Sequence, residues 1–198
     1  MGQARSSTSY FGFFGIMAAI IYAATLWSAS NGISTWEVGS SDPAELLVDD
    51  IYRIGLTSAG ALGALFGIGF AARRDGPVHM IGGIATVFAG VTLAIIGYQA
   101  PDVEANFVSI FVALIVLAAL MDALSGAVNR EYVSLILSIV LALIMAVTYY
   151  SNILYGMAFI ISALVWVIMV SLMMAVYDLE PEAEDFKWNK NGKNYKTK

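Results

Sequence analysis

The chain has 198 residues, of which 59% are hydrophobic and only 13% charged, with a formal net charge of −5. Soluble domains carry about 25% charged residues, so this composition excludes an ordinary water-soluble globule and points to lipid as the solvent. No basic patch interleaves with aromatics, which removes nucleic acid as a partner, and zero cysteines with one histidine, His79, remove disulfides, thiolate zinc sites, iron–sulfur clusters and bis-histidine haem.

About 20 apolar residues at 1.5 Å rise each cross the roughly 30 Å hydrocarbon core of a bilayer. Runs of that kind predict transmembrane helices at about 10–29, 51–72, 80–98, 107–128, 133–150 and 153–177. The expected fold is therefore all-α: a polytopic integral membrane protein whose six-helix domain fills 1–178, followed by a polar tail at 179–198. The first run is longer than the 7–15-residue core of a signal peptide, and it reads as the first span. A polar segment at 30–50 follows, in which Asp42, Pro43 and Glu45 form a helix start signal. The second helix can therefore begin near Pro43, and Asp49 and Arg53 lie four apart on it, where an ion pair forms. All four prolines fall in loops or at helix starts, so the spans lack the interruptions that mark a transporter's broken helices.

Orientation follows from the basic residues. With both termini inside, Arg5, Arg73, Arg74, Arg130 and all five lysines, which lie at or after Lys187, are cytoplasmic; Arg53 alone falls outside. The predicted threading is N-in, C-in, and the expected location is the cell (plasma) membrane. No lysine lies within a span to hold a retinal-type Schiff base.

Small residues recur every fourth position on the second helix, at Gly55, Ala59, Gly63, Gly67 and Ala71, and on the third, at Gly82, Thr86, Gly90 and Ala94. Such stripes let helix backbones approach closely, which in lipid replaces the missing hydrophobic force. The expectation is that these two helices, joined by a short turn, zip together; a contact with another subunit and a narrow pore wall are the alternatives. Interfacial aromatics expected at the outer surface are Trp27, Trp36, Tyr52, Tyr98, Tyr149, Tyr150 and Tyr155.

Asp122 is the only acid inside an apolar run. An ionisable group at membrane depth costs roughly 2.5–3.5 kcal/mol on insertion scales, so it faces protein or water. Asp122 and Ser125 share a helix face, and this pair is the candidate intramembrane site, either as a proton or cation relay or as a structural carboxyl bonded to Ser125, to backbone or to Arg130.

In the tail, Asn191-Gly192 is a preferred two-residue hairpin turn. A β-hairpin over 186–197 would set Phe186, Trp188 and Tyr195 on one face. An isolated two-stranded hairpin is marginal in water, so this face is expected to dock on a neighbouring subunit.

No nucleophile–His–acid set, phosphate-binding glycine loop or metal-ligand spacing is present, so no catalytic residue, cofactor or metal is predicted, lipid aside. Six spans in about 200 residues, short cytoplasmic turns, both termini inside and the paired Arg73-Arg74 after the second helix resemble the acetate/succinate transporter family; the layout also resembles the amide and urea channel family. At 6–10 the chain reads Ser-Ser-Thr-Ser-Tyr where the acetate/succinate family carries Asn-Pro-Ala, so the resemblance is one of topology and transfers no site residue. Two functions are expected. The first is a non-catalytic membrane subunit packed among other helices or its own copies. The second is a channel or secondary transporter for a small, weakly polar solute, with Thr57, Ser58, Thr86, Thr92 and Asp122 along its path.

Overall fold

The computed structural model describes residues 6–29, 50–72, 76–100, 105–150 and 157–177. These form α1 (Ser6–Ala29), α2 (Asp50–Ala72), α3 (Pro77–Gln99), α4 (Ala105–Asn129), α5 (Tyr132–Tyr150) and α6 (Met157–Tyr177). All six are long and apolar enough to cross a membrane, and there is no strand among the described residues. The hairpin expected over 186–197, the docking residues Phe186, Trp188 and Tyr195, and the helix start at Pro43 lie outside the described residues.

Each helix packs on its neighbours in the chain, and α6 returns to α1, so the six close into a ring. The ring's inner wall carries the large buried side chains Phe66, Phe70, Met145, Trp166 and Met174. Its outer wall carries Ile54, Ile68, Val133, Ile136, Leu143 and Val147, all exposed. An apolar exterior is the expected outcome when lipid, not water, is the solvent, because it costs nothing there.

The seam between α2 and α3 is the tightest in the molecule. A Cβ built on Gly60 would stand 2.6 Å from the Gly90 carbonyl oxygen, and one on Gly90 would stand 2.7 Å from that of Gly60. Gly67 lies equally close to the Thr86–Val87 backbone, and Gly83 to Ala71. The working faces are therefore Gly60, Ala64, Gly67 and Ala71 against Gly83, Val87, Gly90 and Ala94. The expected stripe is thus redistributed: Gly55 turns to Thr25 on α1, and Gly82 faces Met121 on α4. Ala59 is buried, and Gly63 has no neighbour nearer than the Gly90 Cα at 3.8 Å. A strict four-residue repeat drifts around a helix of 3.6 residues per turn, so each stripe serves two partners.

Two turns set the site described below. Gly76 adopts φ 109°, a conformation that favours glycine, and Pro77 follows at the first helical position. α3 therefore starts three residues earlier than the apolar run suggests, and His79 lies inside the helix instead of in the turn. At the other turn Arg130 takes φ 61°, and the Glu131 N–H reaches back to the Gly126 carbonyl at 2.8 Å. That left-handed cap ends α4 and lets α5 start within three residues, antiparallel to it.

At the opposite end Arg53 pairs with Asp50 at 3.1 Å, three residues away, and donates to the Tyr98 carbonyl at 3.4 Å. The expected partner, Asp49, lies outside the described residues. Trp27 and Tyr98 are exposed, and Tyr52 is buried with its hydroxyl 3.2 Å from that of Tyr22. Tyr149 is half-buried, its hydroxyl 2.7 Å from Ser109. Trp36 and Tyr155 are outside the described residues.

Candidate functional site

Two features occupy the interior of the ring. The first is a cavity of about 70 Å³ between α1, α2, α3, α4 and α6. This is several times the roughly 10–15 Å³ that one water needs. Larger side chains, among them Tyr22, Phe66, Leu93, Phe111 and Leu164, share its wall with small residues such as Ala19, Gly63, Ala89 and Ala163. The cavity exists because these positions carry one carbon or none beyond the backbone where the helices converge. Thr86 also lines it, but its hydroxyl donates to the Gly82 carbonyl at 2.9 Å, so the wall it offers is largely its methyl.

The other hydroxyls expected along a path are spent likewise. Thr57 donates to the Arg53 carbonyl at 2.9 Å and stands against Gly97 in the seam. Thr92 donates to the Phe88 carbonyl at 2.8 Å. Ser58 is half-buried on α2. A threonine hydroxyl that returns to the carbonyl four residues back satisfies itself in lipid, and it leaves little for a solute.

The second feature is a polar cluster toward the end of the ring where the α2–α3 and α4–α5 turns lie. Asp122 on α4 is 4% exposed. Ser138 on α5 donates to its Oδ2 at 2.6 Å and Ser134 to the same oxygen at 3.4 Å. The shorter contact has the length of a charge-assisted O–H···O bond. Both serines are buried, and their spacing of four residues puts them on the one face of α5 that meets α4.

Ser125 lies one turn beyond Asp122 on α4. Its Oγ lies 2.7 Å from His79 Nδ1 on α3 and accepts from Asn129 Nδ2 at 3.3 Å. The His79 ring meets the edge of Phe70 at 4.5 Å between centroids. Phe70 stacks in turn on Phe66 at 6.0 Å and meets Trp166 at 6.2 Å. Phe66 and Phe70 thus stand between the cavity and the cluster, which are separated by two helical turns on α3 (Thr86 to His79), about 10 Å by helical rise.

His79, Ser134 and Ser138 are the members that residue-by-residue reading misses. The serine pair carries a weak signal, two hydroxyls four apart on an otherwise apolar helix. His79 carries a stronger one, as the chain's single histidine close after a proline that starts a helix. Arg130, considered as a partner of Asp122, is exposed at the turn. Among the described residues no group of three or more His, Cys, Asp or Glu side chains could hold a metal ion.

A scan against protein-family models and searches of curated proteins and of solved structures find no match to this chain.

Proposed function

We propose that this protein is a passage for a small, weakly polar solute across the cell membrane, threaded with both termini in the cytoplasm. The observation that carries this reading is the ring: helices that are each long and apolar enough to cross a membrane close on one another, and five of them line a cavity between them. A wall of alanine, glycine, aliphatic and aromatic carbon suits a neutral solute of a few heavy atoms, such as a short amide, alcohol or protonated short-chain acid. It does not suit an ion, whose burial without a partner is prohibitive. The stacked Phe66 and Phe70 close the route between the cavity and the polar end.

The other expectation, an accessory subunit, rests on the small-residue stripes, on the scarcity of intramembrane polar groups and on the tail, and the first of these has partners within the chain. Those stripes are consumed inside the chain, where α2 meets α3 and α1. Assembly with further copies through the apolar outer wall is compatible with a passage in each protomer.

The test is solute uptake by liposomes reconstituted with the purified chain. Uptake of at least one of the three solute classes should exceed that of protein-free liposomes. Ala163→Phe and Gly63→Leu, which fill the cavity from opposite walls, should each return it to the background while the protein elutes unchanged in size-exclusion chromatography. Uptake that both variants leave intact would overturn the reading, as would background uptake by the unmodified chain. Threading is checked separately. A membrane-impermeant lysine reagent should leave the tail unlabelled in right-side-out vesicles and label it after permeabilisation.

A further inference from the structure

The passage reading makes no use of His79, Asp122 or the serines that hold them. We infer that His79 and Asp122 form a single proton-binding couple, with His79 held by Ser125 one helical turn from Asp122 and the couple reached from the end of α4 at Asn129.

The geometry brings the two titratable groups together. Ser125 follows Asp122 by three residues on α4, so their Cβ atoms are about 5–6 Å apart on one face. The His79 imidazole is bonded at 2.7 Å to Ser125, the residue one helical turn from Asp122. His79 and Asp122 are both 4% exposed. At that separation and burial, the charge on one group alters the free energy of protonating the other, so the pair titrates as a unit.

The surroundings suit a proton that comes and goes. The hydrogen bonds seen on the Asp122 carboxyl and on His79 Nδ1 are to serine hydroxyls. A hydroxyl carries one rotatable donor and two acceptor lone pairs, so it serves either protonation state by turning its hydrogen. Ser125 accepts from Asn129 and can either give to or receive from Nδ1. Asn129 is exposed at the end of α4.

Around the couple, α2 presents the Phe70 ring and α6 presents Trp166 behind it. α5 presents Ser134 and Ser138. The charged groups of the adjoining turn are Arg130, exposed, and Glu131, half-buried, at its outer edge. A merely structural role would hold three helices together by the same bonds but would not link the two titrations, and that is the difference to measure.

The chain's single histidine makes the measurement direct, because ¹⁵N-histidine labelling gives one imidazole signal. In the full chain reconstituted in lipid, the pH titration of His79 should move by about one unit or more between wild type and D122N, the threshold for coupled sites. Linkage requires the reciprocal. The infrared stretch of the buried carboxyl, identified as the band that S138A shifts, should change its titration pH in H79Q by a similar amount. The second arm stands even if D122N does not fold, since glutamine keeps a polar partner for Ser125. Superimposable His79 curves in wild type and folded D122N overturn the proposal, as does a carboxyl band indifferent to H79Q. Neither readout involves solute, so a protein that passes nothing can still reveal the couple, and a working passage does not by itself establish it.

Discussion

Gly60→Ala is expected to destabilise the ring by about 1–3 kcal/mol, the range for forcing a methyl into a filled interior. The added Cβ would stand 2.6 Å from the Gly90 carbonyl oxygen, and its neighbours on the facing helix are backbone atoms of Ala94, which have no rotamer to yield. Relief requires α2 and α3 to separate along their length. In lipid that loss has no hydrophobic compensation, because the opened surface meets acyl chains as apolar as itself. Gly63→Ala is the matched control. Its new methyl would lie 3.8 Å from the nearest atom, the Gly90 Cα, an ordinary contact at the edge of the cavity. It should stay within about 0.5 kcal/mol of wild type, as substitutions away from strained features do. Thermal or SDS-induced unfolding of the two variants in the same micelles checks the contrast, and equal stabilities would mean that the seam is not the close contact described.

Ser138→Ala should cost a further class of energy, about 1–3 kcal/mol, because it removes a donor at 2.6 Å from a buried carboxyl. Removing both sides of the interaction should cost less than removing one. The triple change Asp122→Leu, Ser134→Ala, Ser138→Ala replaces the polar contact by an apolar one of similar bulk, and such exchanges are often neutral or stabilising. The expected order of stability is therefore wild type and triple variant together, with Ser138→Ala below both. Unfolding curves for the three, read as a mutant cycle, measure it. If Ser138→Ala matches wild type, the α4–α5 contact does not depend on this bond.

The two results address different kinds of cohesion in one ring. Between α2 and α3 it is the absence of side chains that lets dispersion contacts accumulate backbone to backbone. Between α4 and α5 it is a directional bond between a carboxyl and hydroxyls, where the left-handed turn at Arg130 brings α5 back within three residues. Between α3 and α4 the link is the His79–Ser125 bond. Polar contacts thus hold α3 to α4 and α4 to α5, and they lie away from the cavity wall, which stays apolar.

The six spans were legible in the sequence because lipid imposes a length and a polarity on each crossing, and both are sums over about 20 neighbouring residues that no distant contact alters. Asp122 was legible for a related reason, since a carboxyl inside an apolar run stands out before any partner is known. The partners were not legible. Ser134 and Ser138 look like tolerable hydroxyls on an apolar helix until the Arg130 turn sets α5 against α4, and His79 looks like a turn residue until Gly76 and Pro77 start α3 ahead of it. Nor did the four-residue stripe reveal which glycines touch which helix: Gly55 met α1, Gly82 met α4, and Gly60 and Gly83, off the expected register, closed the seam. Local composition decided that the chain has six helices long and apolar enough to cross a bilayer. Which faces converge, and so where the cavity and the carboxyl's donors lie, depended on the return of α6 to α1, a contact between the two ends of the bundle that no local pattern encodes.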